Sequence, residues 1–129
     1  QLTVDDMEER IIEKTAKHPW IVYERDGQVI GYAYLSGWHS RSAYRYSNEA
    51  SIYLDSNEKG HGIGKELFGQ LLEVSKCYGV HTIVSGITIP NTESISLHEK
   101  FGFKKIAEFE EIGFKNNKWL NVGYWQKLL

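Results

Sequence analysis

The chain has 129 residues, which suits one domain, 1–129, and leaves no room for two. An apolar share of 41% beside 25% charged residues is ordinary for a globular protein, and a net charge of −2 argues against nucleic acid as the main partner, because phosphate binding needs a concentrated basic surface. No apolar run approaches the length of a bilayer span, Gln1–Arg10 is too polar for a leader, and one cysteine cannot make an internal disulfide; a reducing cytoplasm is the expected setting, with no membrane, nucleic acid or metal as partner.

Thr3 followed by Asp6 reads as a helix cap, and Met7, Ile11 and Thr15 follow at helical spacing, so a first helix is expected to end before His18-Pro19. Trp20–Glu24 and Gln28–Leu35 read as strands joined by an Asp26-Gly27 hairpin turn. Gly37–Asn48 is a polar loop bearing Tyr and Arg, and Glu49–Leu54 is a strand. Over Gly62–Tyr78 the stripe Ile63, Leu67, Leu71 and Tyr78, with Phe68 and Leu72 beside it, predicts an amphipathic helix closed by Gly79. Cys77 falls inside that pattern and reads as an inert core residue. Val80–Ile87 is the next strand, and Thr92 to Lys100 a shorter helix closed by Gly102. Phe103–Phe109, Ile112–Lys115 and Trp119–Gln126 finish as strands, with Asn116-Asn117 turning the last hairpin. This order is a mixed α/β layout around a central sheet.

Lys59-Gly60-His61-Gly62-Ile63-Gly64-Lys65 follows a strand and opens a helix. Its glycines permit sharp turns and close approach, and the free N–H groups and dipole of the helix start make a seat for a pyrophosphate. A Gly-rich turn that binds nothing is the plainer reading of the same pattern. Two phosphate loops are excluded: a Walker loop requires Ser or Thr after Gly-Lys, where Glu66 stands, and the dinucleotide fingerprint requires a third glycine where Lys65 stands.

The loop resembles motif A of the GNAT acetyltransferases, Gln/Arg-x-x-Gly-x-Gly/Ala, with Lys59 in the first place. Glu49-Ala50-Ser51-Ile52-Tyr53-Leu54, the run from Asn91 to Phe103, and Gly113-Phe114-Lys115 with Lys118-Trp119-Leu120-Asn121-Val122 are similar to the phosphinothricin and methionine-sulfoximine N-acetyltransferase branch. The resemblance implies the GNAT fold, a mostly antiparallel mixed sheet flanked by helices. Members of the branch carry a further strand and helix ahead of the point matching Gln1, so these are expected to be missing here. It also implies acetyl-CoA as co-substrate, a small amino-acid-like amine as acceptor, and a homodimer. Acetylation of a peptide or protein amine, and a non-catalytic acyl-CoA-binding module, are the alternatives.

Acetyl transfer to an amine needs a proton acceptor for the attacking nitrogen and donors for the oxyanion. The resemblance places Glu49 beside the acceptor amine as base; on residues alone it is one of 17 acidic side chains. It makes His98 the second catalytic candidate, near the departing thiol, against the plainer reading of a core-satisfied helix histidine. For the cofactor it implies Ile52, Tyr53 and Leu54 along the pantetheine arm, the loop Lys59, Gly60, His61, Gly62, Ile63, Gly64 and Lys65 on the phosphates, and Asn91 and Lys100. For the acceptor, Arg41 and Arg45 can bind a carboxylate, Ser42, Ala43 and Tyr44 match a substrate-contacting stretch, and Phe114, Lys115 and Trp119 are expected to complete the pocket.

Overall fold

The computed structural model describes residues 10–14, 18–39, 41–58 and 60–129. The strands are β1 (Arg10–Lys14), β2 (Trp20–Arg25), β3 (Gln28–Gly37), β4 (Ser47–Leu54), β5 (Thr82–Ile89), β6 (Lys104–Lys115) and β7 (Lys118–Leu128), with helices α1 (Ile63–Cys77) and α2 (Thr92–Lys100). They form one sheet in the order β1-β2-β3-β4-β5-β7-β6, in which β4 and β5 are parallel and every other neighbouring pair is antiparallel. That parallel step forces a crossover, and α1 supplies it.

Local chemistry explains most of these elements. Asp26 and Gly27 both take positive φ, 52° and 79°, which gives the two-residue turn whose twist suits a hairpin. Asn116 and Asn117 do the same at 52° and 61° between β6 and β7. Alternation in β3 sends Ala33 and Leu35 to the helix-covered face and Tyr32 and Tyr34 to the other. On the covered face α1 buries Ile63, Leu67, Phe68, Leu71 and Leu72 against Ile21, Leu35, Ala50 and Ile83. Each such side chain contributes about 1.5–3 kcal/mol on burial. Farther along, Trp125 is 1% exposed and donates its Nε1–H to Glu99 of α2 at 3.1 Å, which ties α2 to β7. The opposite face carries a stacked aromatic row: Trp20 on Tyr34 at 4.2 Å, and Tyr32 on Tyr53 at 5.3 Å.

Three expectations are corrected. Arg10–Lys14 is a strand paired with β2 (Ile11 opposite Tyr23, Ile12 opposite Val22), not the end of a helix. Its adjacent β-branched isoleucines suit a strand, and the open edge of β2 supplies partners, so pairing overrides the helical spacing; Thr3, Met7 and Thr15 lie outside the described residues. Cys77 is exposed rather than in the core, because the apolar stripe of α1 ends one turn earlier. The last three predicted strands are two long ones, β6 being continuous across a bulge between Phe109 and Gly113. There Glu111 takes φ 48°, and Asn121 Oδ1 accepts its N–H at 2.9 Å, which supports the irregularity. Among the described residues no helix is long and apolar enough to cross a membrane, and no cluster of His, Cys, Asp and Glu has the grouping of a metal site.

Candidate active site

The sheet is open at its centre. β4 and β5 pair only through Ser47–Glu49 and Thr82–Val84. Beyond that point β4 stays bonded to β3 as far as Leu54, and β5 to β7 as far as Ile89. Each strand is therefore held on its outer side while the inner sides diverge. In an antiparallel partner every second N–H and C=O points away, so along Ala50–Leu54 such groups face the gap. A cleft of about 800 Å³ runs from this gap to the start of α1. Ile52, Tyr53 and Leu54 line one side, Asn91, Ser94, Leu97 and Lys100 of the α2 segment the other, and Gly60, Gly62, Gly64 and Lys65 the mouth.

The loop at the mouth meets its expected geometry. Gly60 and Gly62 take φ 85° and 78°, and Gly62 caps α1 through its backbone alone. Among the described residues no side chain caps the first N–H groups of the helix there, which leaves them directed at the cleft together with the positive end of the dipole. Ile63 contributes only backbone, since its side chain is 3% exposed in the core. His61 points to solvent, its Nδ1 3.9 Å from Glu58, and it does not line the cleft. Lys59 lies outside the described residues. Asn91 caps α2, its Oδ1 accepting the Ser94 N–H at 3.1 Å, and this holds its amide at the cleft wall.

Glu49 is the last residue of β4 that pairs with β5, opposite Val84, and sits at the apex of the gap. Alternation sends its half-buried side chain to the face away from α1, since neighbouring Ala50 faces the core. Two buried polar atoms on the core side of the same apex, Asn48 Oδ1 and Ser85 Oγ, have no hydrogen-bond partner among the described residues. His98 is not brought to this place. It is 3% exposed, its ring packs 4.6 Å from Phe68 and 5.1 Å from Phe103, and its Nδ1–H donates to the Ser94 carbonyl at 2.8 Å. Burial holds its imidazole below the ordinary pKa, opposed in part by the Ser94 bond. Its geometry is that of the satisfied core histidine, with its neighbour Leu97 facing the cleft instead.

The acceptor residues divide as well. Ser42–Tyr44 form an exposed 3-10 turn between Arg41 and Arg45. Arg45 is committed locally: its Nη1–H donates to the Ser42 carbonyl at 2.7 Å, and its guanidinium lies 4.6 Å over Tyr46. Arg41 is exposed, and Tyr44 reaches His39 at 5.4 Å. Phe114, Lys115 and Trp119 sit at the tip of the β6–β7 hairpin, where Phe114 and Trp119 touch each other at 4.8 Å. Trp119 lies beyond the end of β5, and Gln126, opposite Val84, is seven residues away along β7, roughly 24 Å at the strand rise. Within one chain these three do not meet Glu49; strand patterning alone does not tell how far a hairpin overhangs its sheet.

Sequence reading missed another group. Tyr124 lies flat over Gly86: a Cβ there would meet the tyrosine ring at 3.1 Å. Trp38 touches Tyr124 edge-on at 6.1 Å, and Phe109 does so at 5.6 Å. The available signal was Gly86 itself, since a glycine inside a strand often marks close approach from a neighbour.

A profile described as acetyltransferase (GNAT) domain matches residues 2–122, and the chain belongs to this family. A phosphinothricin N-acetyltransferase of Streptomyces viridochromogenes is 33% identical over 124 residues, 96% of this chain and 66% of that protein. An L-methionine sulfoximine/L-methionine sulfone acetyltransferase of Salmonella typhimurium is 35% identical over 109 residues, 84% of this chain and 64% of that protein. The chain thus spans slightly less than two thirds of either relative. A GNAT phosphinothricin acetyltransferase of Sinorhizobium meliloti, solved in complex with acetyl-CoA, superposes with a TM-score of 0.82 at 36% identity, covering 87% of this chain and 61% of that one.

Proposed function

We propose that the chain transfers an acetyl group from acetyl-CoA directly to the α-amine of a small amino-acid-like molecule of the phosphinothricin or methionine sulfoximine type, with Glu49 as general base. The observation that carries this reading is the opened sheet, with unpaired backbone along Ala50–Leu54, a helix N-terminus at one end of the gap and a carboxylate at the other. An extended amide-bearing arm such as that of coenzyme A can take the place of the missing strand pairing, and the glycine loop can receive its phosphates. Lys65 and Lys100 add positive charge along that path.

On the other face, Glu49 accepts a proton from the incoming ammonium. An alkyl amine has a pKa near the lysine value of about 10.4, so at neutral pH it attacks only after losing that proton. A backbone N–H facing the gap polarises the acetyl carbonyl. Arg41, rather than the committed Arg45, binds the acceptor carboxylate. His98 is assigned no proton transfer; it fixes α2 against Phe68 so that Leu97 and Ser94 keep their positions. In acetylation assays that follow free thiol, Glu49→Gln is expected to lower kcat by about 10²–10⁴-fold while acetyl-CoA binding persists. Full kcat in that variant contradicts the assignment.

The same hairpin that fails to reach Glu49 supports a homodimer. Ile112, Phe114 and Trp119 are 60%, 57% and 63% exposed at its end, an apolar grouping that suits association with a second copy. Trp119→Glu is expected to convert a dimer to a monomer in light scattering, and an unchanged mass speaks against this surface.

A further inference from the structure

The phosphate loop is entered through a turn that carries a carboxylate. As β4 ends beside β3, the Asp55 N–H donates to the Ile30 carbonyl at 2.9 Å. The Glu58 N–H then donates to the Asp55 carbonyl at 2.9 Å and the Asn57 N–H to Asp55 Oδ1 at 3.2 Å, so residues 55–58 turn back on themselves. This turn brings Glu58 to the end of β2, where Arg25 Nη1–H donates to its Oε1 at 2.8 Å. The same oxygen stands 3.9 Å from Nδ1 of His61, which lies between the two left-handed glycines of the loop. Glu58 therefore adjoins the proposed pyrophosphate seat in space as well as in sequence. Its side chain is 15% exposed, so solvent screens its charge poorly. Glu66, in the first turn of α1, is exposed and solvated instead.

We propose that Arg25 is a positioning residue for the cofactor: it cancels the charge of Glu58 and holds that carboxylate back, so that the loop offers amide N–H groups rather than a carboxylate to the pyrophosphate. The proposal rests on the reading of the loop as the phosphate seat and adds to that seat a residue from outside the glycine motif. A pyrophosphate is anionic, and a bare, poorly screened carboxylate beside it opposes binding. The guanidinium stays protonated at every working pH and makes the carboxylate one half of a neutral pair. Arg25 is paired with Gln28 across the Asp26-Gly27 turn, so the counter-charge is carried by a hairpin end and not by the loop itself. The loop has little else to restrain it at Gly60 and Gly62, where a Cβ would meet nothing within 4 Å.

The test measures acetyl-CoA affinity by calorimetry, at low and at physiological salt, for the wild type, Arg25→Gln, Arg25→Lys, Glu58→Gln and the double variant Arg25→Gln/Glu58→Gln. Thermal melts and kcat at saturating acetyl-CoA accompany it. Arg25→Gln should weaken binding about five- to tenfold at low salt and less at physiological salt, with kcat within about twofold of the wild type. Arg25→Lys and Glu58→Gln should bind within about twofold of the wild type or tighter. The double variant should regain wild-type affinity to within about twofold, because the repelling charge has gone with its partner. Melting temperatures should move little, since a partly exposed pair contributes little to stability. A merely mechanical tie gives another pattern: Arg25→Gln and Glu58→Gln weaken binding alike, and the double variant is not rescued. That pattern, or unmoved affinity in Arg25→Gln, overturns the proposal and leaves the acetyltransferase reading in place. Should Arg25→Gln fail to fold, Glu58→Gln decides: retained or tighter binding supports the charge role, and a loss of more than about fivefold overturns it. A wild type that does not bind acetyl-CoA removes both.

Discussion

Ser85 and His98 are both buried polar residues, but His98 has its bond and the Ser85 hydroxyl has none among the described residues. An unsatisfied buried hydroxyl costs about 1–3 kcal/mol, so Ser85→Ala is expected to raise the Tm of the ligand-free protein, read by calorimetry. A lower Tm would mean that the hydroxyl has a partner. For His98 the sign follows from its lowered pKa. Above the ordinary histidine value both folded and unfolded forms are neutral and the fold keeps its full stability. As pH falls through that value the unfolded chain takes up the proton first, and stability is lost toward acid. His98→Gln, which cannot titrate, is expected to flatten that loss between neutral pH and mildly acidic pH while leaving kcat within a few fold. An undiminished acid slope would place its origin elsewhere, and a collapse of kcat would return His98 to the chemistry.

At the scale of elements, the two helix starts at the cleft work by different means. Gly62 caps α1 with left-handed backbone and no side chain, which leaves its N–H groups open to a ligand; Asn91 caps α2 with its side chain. Gly62→Val forces a β-branched residue into φ 78° and puts bulk over the open amides. Calorimetry should show acetyl-CoA affinity reduced more than tenfold, and unchanged affinity would move the phosphate seat away from this loop. Asn91→Ala should cost about 1 kcal/mol through the lost cap, seen as a fall of a few degrees in Tm. Both helices, the hairpin turns and the loop were legible in the sequence, because each depends on local chemistry: apolar spacing in α1, glycine or asparagine at positive φ, a capping side chain before α2. The Arg10–Lys14 strand was not, since its partner is a tertiary edge rather than a local signal. For the site, Glu49 and the cleft-lining residues could be placed by motif, but the turning of His98 into the core and the meeting of Trp38 with Tyr124 depend on packing between elements distant in the chain.

Across the whole molecule, the opening between β4 and β5 leaves a record that can be read without any assay of turnover. Amide hydrogens bonded across a sheet exchange slowly with solvent deuterium, whereas those facing an open gap exchange quickly. Along Ala50–Leu54, alternate amides are bonded to β3 and the others face the cleft. Free protein placed in heavy water should therefore label this strand in an odd–even pattern, every second position protected. If an acyl-CoA arm lies in the gap as a surrogate strand, the fast positions become slow on binding and the pattern fades into uniform protection, while β2, remote from the gap, keeps its labelling. One strand would then report, residue by residue, whether a molecule other than the polypeptide completes the sheet.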